Sequence, residues 1–518
     1  MPAATILDNL VRRLGERPDD VFAEVTVAES VTTLTVGGLV DAAERWAARL
    51  VELGCRPGDV VIVILKHGPD IYPAYLGAMI AGCVPSFMPF PTPKQDPALY
   101  WRSHDTLFRR IAARCIVTYA ENAAQLEAMI SVRDYAVCVA GSERGLAPLK
   151  DWRVRGGANV ALLQHSSGTT GLKKGVALSH DAILFQIDAY SKALGFEAGD
   201  TIASWLPLYH DMGLIACFML PLIAGGTIAS LDAFEWVARP AMLLEEIARR
   251  RARWTWLPNF AFHHLVRTRG DETYDLSSMR AFIDCSEPCK PATFDEFAAA
   301  FDIEPAKLQT CYAMAETVFA VTQTRPGVPP RRLTRDGRDY LSCGPAIEGL
   351  EIRIIDGEIA VKGSCLFSGY YKLEEETRAA FSGEWYRSGD LGFMDGGELF
   401  VTGRIKDLII VNGRNFYAHD VEAVVNTVAG IKPGRAVAIG RYSEMSQSEE
   451  LLVIAETEAA ETLALRKSVR DAIEAAFGLT GASVHVVAPG WLVKTTSGKI
   501  SRSENLAKYQ AEKRRLPS

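Results

Sequence analysis

The chain has 518 residues, a formal net charge of −7, 48% hydrophobic residues and 23% charged residues. It is too long for one simple core, its composition is that of an ordinary soluble globular protein, and it lacks the basic stripe that marks nucleic-acid binders. Its ten cysteines are scattered without paired CxxC spacing, so neither a zinc site nor a disulfide scaffold is indicated, and reduced thiols in a cytoplasmic protein are the expectation.

Residues 1–9 show no basic segment followed by an apolar one, so no signal peptide is expected. Residues 5–16 read as an amphipathic helix. Residues 22–35 partly alternate and read as a hairpin, with Thr35 placed to cap a helix over 36–53. Apolar runs at 60–65, 115–118, 135–139 and 160–163 then alternate with helical stretches such as 70–81 and 120–131. That alternation predicts α/β layers with largely parallel sheets. Met88-Pro89-Phe90-Pro91-Thr92-Pro93 is a rigid extended loop, because each proline fixes φ. The run 212–231 is long enough to span a bilayer, but it contains Pro221 and Gly225-Gly226. It is expected to be a buried helix, a turn and a buried strand, with no membrane span.

The stretch Ser166-Ser167-Gly168-Thr169-Thr170-Gly171-Leu172-Lys173-Lys174-Gly175 follows the apolar run 160–163. Glycines let backbone N–H groups approach an anion closely, hydroxyls add donors, and lysines add positive charge. This is the chemistry of a phosphate-gripping loop. It is not the common P-loop, whose spacing from Gly168 would require glycine where Lys173 stands.

The loop resembles that of the adenylate-forming superfamily, which includes acyl-CoA synthetases, adenylation domains, luciferases and fatty acyl-AMP ligases. These enzymes join a carboxylate to AMP and release pyrophosphate. Further stretches resemble the family's motifs in order. Trp205-Leu206-Pro207-Leu208-Tyr209-His210-Asp211-Met212-Gly213 is close to the fatty acyl-AMP ligase branch, and the resemblance places His210 at the junction of carboxylate and phosphate. Residues 254–262 (WTWLPNFAF) resemble the helix that lines the acyl tunnel. Asp284-Cys285-Ser286-Glu287-Pro288 falls at the adenine-facing turn, although Cys285-Ser286 departs from the usual small pair. In Cys311-Tyr312-Ala313-Met314-Ala315-Glu316-Thr317, the resemblance implies that Tyr312 stacks on adenine, Glu316 holds Mg²⁺ and Thr317 bonds the AMP phosphate.

Two aspartate-bearing motifs follow. Tyr386-Arg387-Ser388-Gly389-Asp390 offers a carboxylate with two acceptor oxygens for two ribose hydroxyls. Thr402-Gly403-Arg404-Ile405-Lys406-Asp407 supplies Arg404 as a ribose or phosphate contact and Lys406 as a hinge. Thr495-Thr496-Ser497-Gly498-Lys499 matches the motif of the catalytic lysine, whose ammonium bridges the substrate carboxylate and α-phosphate. The residues after Lys508 read as a charged tail without a role.

The resemblance therefore implies a large multi-subdomain N-terminal domain (1–405) of layered sheets and helices and a small mobile α+β domain (406–518). The expected ligands are ATP on Ser166, Ser167, Gly168, Thr169, Thr170, Gly171, Lys174, Ser286, Glu287, Tyr312, Thr317, Asp390 and Arg404, with Mg²⁺ on Glu316. The implied reaction is activation of a fatty or other hydrophobic acid. Two acceptors remain open. The 206–213 wording and Gly413-Arg414-Asn415-Phe416-Tyr417-Ala418-His419-Asp420 favour the phosphopantetheine thiol of an acyl carrier protein. The compact stretch 343–390 leaves no room for that branch's extra segment, which keeps CoA as acceptor. A nucleotide-binding regulator would not need Glu316, Asp390 and Lys499 together. A luciferase-like oxygenase shares the same adenylation motifs.

Overall fold

The computed structural model describes residues 5–91, 97–130, 135–153, 156–157, 159–165, 174–286, 289–335, 337–411, 414–443, 448–458, 463–494 and 500–515. The phosphate loop from Ser166 to Gly171, Glu287 and the Lys499 segment lie outside them.

The largest sheet has eight strands, ordered Ala320–Gln323, Leu308–Ala313, Ala281–Asp284, Trp254–Leu257, Thr201–Ser204, Thr227–Ser230, Val21–Val27 and Ser30–Thr35. The inner strands run parallel and the two outer ones antiparallel. Parallel strands buried on both faces read as continuous apolar runs, as at Val60–Ile64, buried at every position. That strand lies in a second, all-parallel sheet with Val84–Phe87, Ala113–Thr118 and Ala136–Val139. The α/β architecture expected from the alternation is present.

A small antiparallel sheet joins Val160–His165 to Gly175–Ser179 and then to Gly369–Tyr370. It frames both ends of the phosphate loop. An antiparallel sheet built on Leu350–Ile355, Glu358–Gly363, Trp385–Asp395 and Glu398–Arg404 completes the large part. The chain from 343 to 390 is described throughout. It holds this hairpin, a short helix at Glu374–Ala379 and tight turns, with no inserted element.

Two apolar clusters contain only residues from Ile409 onward, one of them centred on Val421, Val453, Val469 and Ile473. This small α+β unit meets the large part where Arg338 pairs with Asp420 at 3.1 Å and lies over the Tyr417 ring.

Two sequence expectations are corrected. Residues 254–262 are not one helix: Trp254–Leu257 is a buried parallel strand, and the helix Asn259–Arg267 begins only after Pro258. Proline supplies no N–H and disfavours helical geometry before it, so the aromatic run joins the sheet. The end of the chain is no bare tail, because Arg502–Arg515 is a helix that buries Asn505 and Tyr509. The run 212–231 folds as expected into buried helix, turn and strand. Its first part, Met212–Met219, is a π-helix, a rare form frequent at functional sites. Among the described residues no helix is long and apolar enough to cross a membrane.

Candidate active site

Two hydrogen-bonded groups form the described site, and the first centres on Asp390. Gly389, at φ +76, turns the chain so that Asp390 points inward, and the Asp390 N–H donates to Ser388 Oγ at 3.0 Å. Asp390 is 7% exposed. Its Oδ2 accepts from the Tyr312 hydroxyl at 2.7 Å and its Oδ1 from Arg404 Nε at 2.8 Å. Tyr312 is the penultimate residue of the strand Leu308–Ala313, and Arg404 lies opposite Asp390 in the antiparallel register. Three residues far apart in sequence thus meet at one carboxylate. A carboxylate offers about four lone-pair directions, so two remain for donors from outside, which matches two vicinal hydroxyls. Burial, and then Asp390, raise the Tyr312 phenol well above its ordinary value. Asp390 in turn raises Arg404.

The second group centres on Glu316, which sits in the short turn Ala315–Thr317 directly after that strand. Its Oε1 accepts from the Tyr370 hydroxyl at 3.0 Å. The Tyr370 ring carries Lys174 Nζ at 4.3 Å from its centroid, a cation–π contact. Tyr370 and Tyr386 hydroxyls approach to 3.5 Å. Burial raises the Glu316 carboxyl above its ordinary value, and the charge of Asp211 adds to the rise. Asp211 caps the π-helix by accepting from Met212 N–H at 2.9 Å. The His210 ring lies 4.9 Å from that of Tyr209.

The two groups adjoin. Tyr386 touches Tyr370, and its phenol is pushed up first by burial and then by Glu316 and Tyr370, with a smaller effect from Tyr312.

The other expected residues are placed as follows. Ser286 is exposed and takes φ +74, a left-handed turn conformation uncommon for a residue with a side chain. Cys285 before it is buried in the core. Thr317 is fully buried, and its hydroxyl donates within its own turn to the carbonyls of Met314 and Phe319. Lys406 is exposed in the short helical turn Ile405–Asp407 between the two parts of the chain.

Sequence reasoning missed Tyr370, Tyr386 and Asp211. Tyr386 and Asp211 stood inside quoted motifs. No quoted motif included Tyr370.

Glu316 offers hard oxygen ligands. Among the described residues no group of three or more His, Cys, Asp or Glu is arranged to hold a metal by itself. That donor set fits magnesium, which is held by one or two carboxylates together with substrate phosphates rather than by an all-protein cage.

Known proteins share the fold. A solved structure from work on fatty acyl-adenylate ligases of E. coli and L. pneumophila superposes with a TM-score of 0.89 at 24% identity, covering 100% of this chain and 99% of that one. The fatty acid AMP ligase from Legionella pneumophila gives 0.74 at 25% identity, covering 99% and 96%. The fold is that of adenylate-forming enzymes. The model of the AMP-binding enzyme family matches residues 11–371, and the chain belongs to that family. Relatives include the long-chain-fatty-acid–AMP ligase FadD26 of Mycobacterium marinum, 29% identical over 88% of each chain. The 4-hydroxyphenylalkanoate adenylyltransferase of Mycobacterium tuberculosis is 30% identical over 87% of this chain and 82% of the relative.

Proposed function

We propose that this enzyme uses ATP to convert a fatty or other hydrophobic carboxylic acid to its acyl-adenylate, releasing pyrophosphate, and then passes the acyl group to a phosphopantetheine thiol of an acyl carrier protein. The observation that carries the proposal is the meeting of Tyr312, Asp390 and Arg404 at one end of a site and Glu316, Tyr370 and Lys174 at the other. The first group suits a nucleoside, since Asp390 has acceptors to spare and Tyr312 presents a ring. The second suits a polyphosphate with its cation.

Glu316 holds Mg²⁺ in this reading, and that ion neutralises phosphate charge when bound. Lys174, the first described residue after the phosphate loop, adds a positive charge on the same side. Ser166, Ser167, Gly168, Thr169, Thr170 and Gly171 grip the phosphates, and Ser286, Glu287 and Thr317 shape the turns around adenine and the α-phosphate. His210 stands at the carboxylate. Lys499 stabilises the charge that builds as a carboxylate oxygen attacks the α-phosphorus. The catalytic contribution is chiefly positioning and electrostatics. An apolar hollow of about 540 Å³, open mouth included, is lined by Phe87, Phe90, Trp205, Phe234 and Tyr209. It gives an apolar tail a surface to bury against near His210.

The chain divides at 405/406 into a domain carrying the nucleotide site and a domain carrying Lys499, with Lys406 at the hinge between them. We place the enzyme in the cytoplasm, where ATP is supplied and its ten free thiols stay reduced. CoA is the alternative acceptor, favoured by the absence of an inserted element between 343 and 390.

Acid-dependent ATP–pyrophosphate exchange over a panel of carboxylic acids tests the first half-reaction, and no exchange with any acid refutes it. Thioester yield with CoA against a holo carrier protein decides the second.

A further inference from the structure

The segment 367–371 is stitched to both sides of the phosphate end of the site. Phe367 N–H donates to the Glu316 carbonyl at 2.8 Å, and Tyr371 N–H donates to the Gly175 carbonyl at 2.7 Å. Between these anchors, Tyr370 pairs in register with Val176, and its N–H donates to Thr377 Oγ1 at 2.8 Å. Its backbone is therefore fixed against the strand that leaves the phosphate loop. Its side chain reaches the other way on two counts: the hydroxyl donates to Glu316 Oε1, and the ring face receives Lys174 Nζ. A residue kept only to fill space would need neither.

We infer that Tyr370 is a positioning residue that sets the spacing between Lys174 and Glu316, so that a triphosphate and its magnesium meet cation and carboxylate in one geometry. The inference rests on the ATP-dependent reading above. Without Tyr370, the Lys174 side chain loses its platform and the Glu316 carboxylate loses one of the donors that orient it.

The two contacts can be separated. Tyr370→Phe keeps the ring and removes the hydroxyl, whereas Tyr370→Leu removes both. ATP affinity without metal is measured by calorimetry in EDTA, and the Mg²⁺ concentration for half-maximal exchange is measured on the same proteins. Tyr370→Phe is expected to leave metal-free ATP affinity unchanged and to raise the Mg²⁺ requirement roughly tenfold, a lost hydrogen bond to a charged group. Tyr370→Leu is expected to weaken metal-free ATP binding about threefold as well. Equal behaviour of the two variants, or an unchanged Mg²⁺ requirement in Tyr370→Phe, overturns the inference. Failure of the wild-type chain to bind ATP refutes the underlying reading instead, so the two failures are distinct.

Discussion

Asp390→Asn tests the nucleoside end most directly. The substitution keeps the shape and removes the charge. In the wild type, Oδ2 accepts from Tyr312 and Oδ1 from Arg404, leaving two acceptor directions free. In the variant, the amide oxygen must face Arg404, and the amide nitrogen must turn toward the Tyr312 hydroxyl. One ribose hydroxyl then loses its acceptor, and the other meets a neutral oxygen. Hydrogen bonds to an ionised acceptor are about twice as strong as neutral ones. Losing about 1 kcal/mol at each hydroxyl gives ~2 kcal/mol, or roughly a 30-fold loss of ATP affinity. The assay is acid-dependent ATP–pyrophosphate exchange with ATP varied: KM for ATP rises by that factor, while KM for the acid holds. Tyr312→Phe leaves the charge in place and is expected to lose about fivefold. If Asp390→Asn is folded and its KM for ATP equals that of the wild type, the carboxylate does not hold the ribose.

Three further outcomes are expected. Lys499→Ala retains ATP binding by calorimetry but loses adenylation by about 100-fold or more, the usual effect of removing a charge that stabilises a transition state; full activity would strike Lys499 from the site. Gly213→Ala brings a Cβ to 2.3 Å from the Pro207 carbonyl oxygen and 3.1 Å from that of Leu206, backbone that cannot give way locally. The π-helix must shift against the His210 loop, so exchange activity falls and stability drops by about 1–3 kcal/mol; a variant with wild-type melting and kinetics would show that the contact relaxes freely. Glu422 in the small unit is pushed up to about 7 by burial, against the opposing charge of Arg502. Between the ordinary 4.5 and that value the folded form keeps a proton that the unfolded form has lost, so stability falls as pH rises through this window and is level above it. The fall is at most ~3 kcal/mol. Glu422→Gln flattens it, and thermal melts of both proteins from pH 5 to 8 with the same slope would contradict the assignment.

What the sequence made legible was local. Alternating apolar runs marked the strands, Thr35 capped its helix by accepting from Gly38 N–H, and Pro221 with Gly225 argued correctly against a membrane span. The illegible parts depended on tertiary partners. Trp254–Leu257 reads equally as helix or strand until its neighbours at Ala281–Asp284 are known. The final helix is charged nearly all round, and only Asn505 and Tyr509, four residues apart, form its buried stripe. Tyr370 lies 54 residues from Glu316, and nothing about a lone tyrosine in the sequence names the carboxylate it will meet. At the site, the motifs pointed to Tyr312, Asp390 and Arg404, which the fold brings to one carboxylate, and to Glu316 and Lys174, which it links through Tyr370. They did not show that tyrosines join the groups.

That joining has a simple geometric origin. One segment carries Tyr312 and, four residues on, Glu316. Another carries Tyr386 and, four residues on, Asp390. Tyr312 contacts Asp390 directly, and Glu316 meets Tyr386 through Tyr370. The two segments thus cross-match end to end, with one pair at the nucleoside end and one at the phosphate end. The separation of the ends is set by the backbone of these two segments, not by side-chain reach. A substitution that displaces either segment must therefore disturb nucleoside and phosphate recognition together, whereas a side-chain change at one end, such as Asp390→Asn or Tyr370→Phe, should leave the other end's ligand dependence intact. Coupled losses in those two conservative variants would show that the ends are held by something other than this framework.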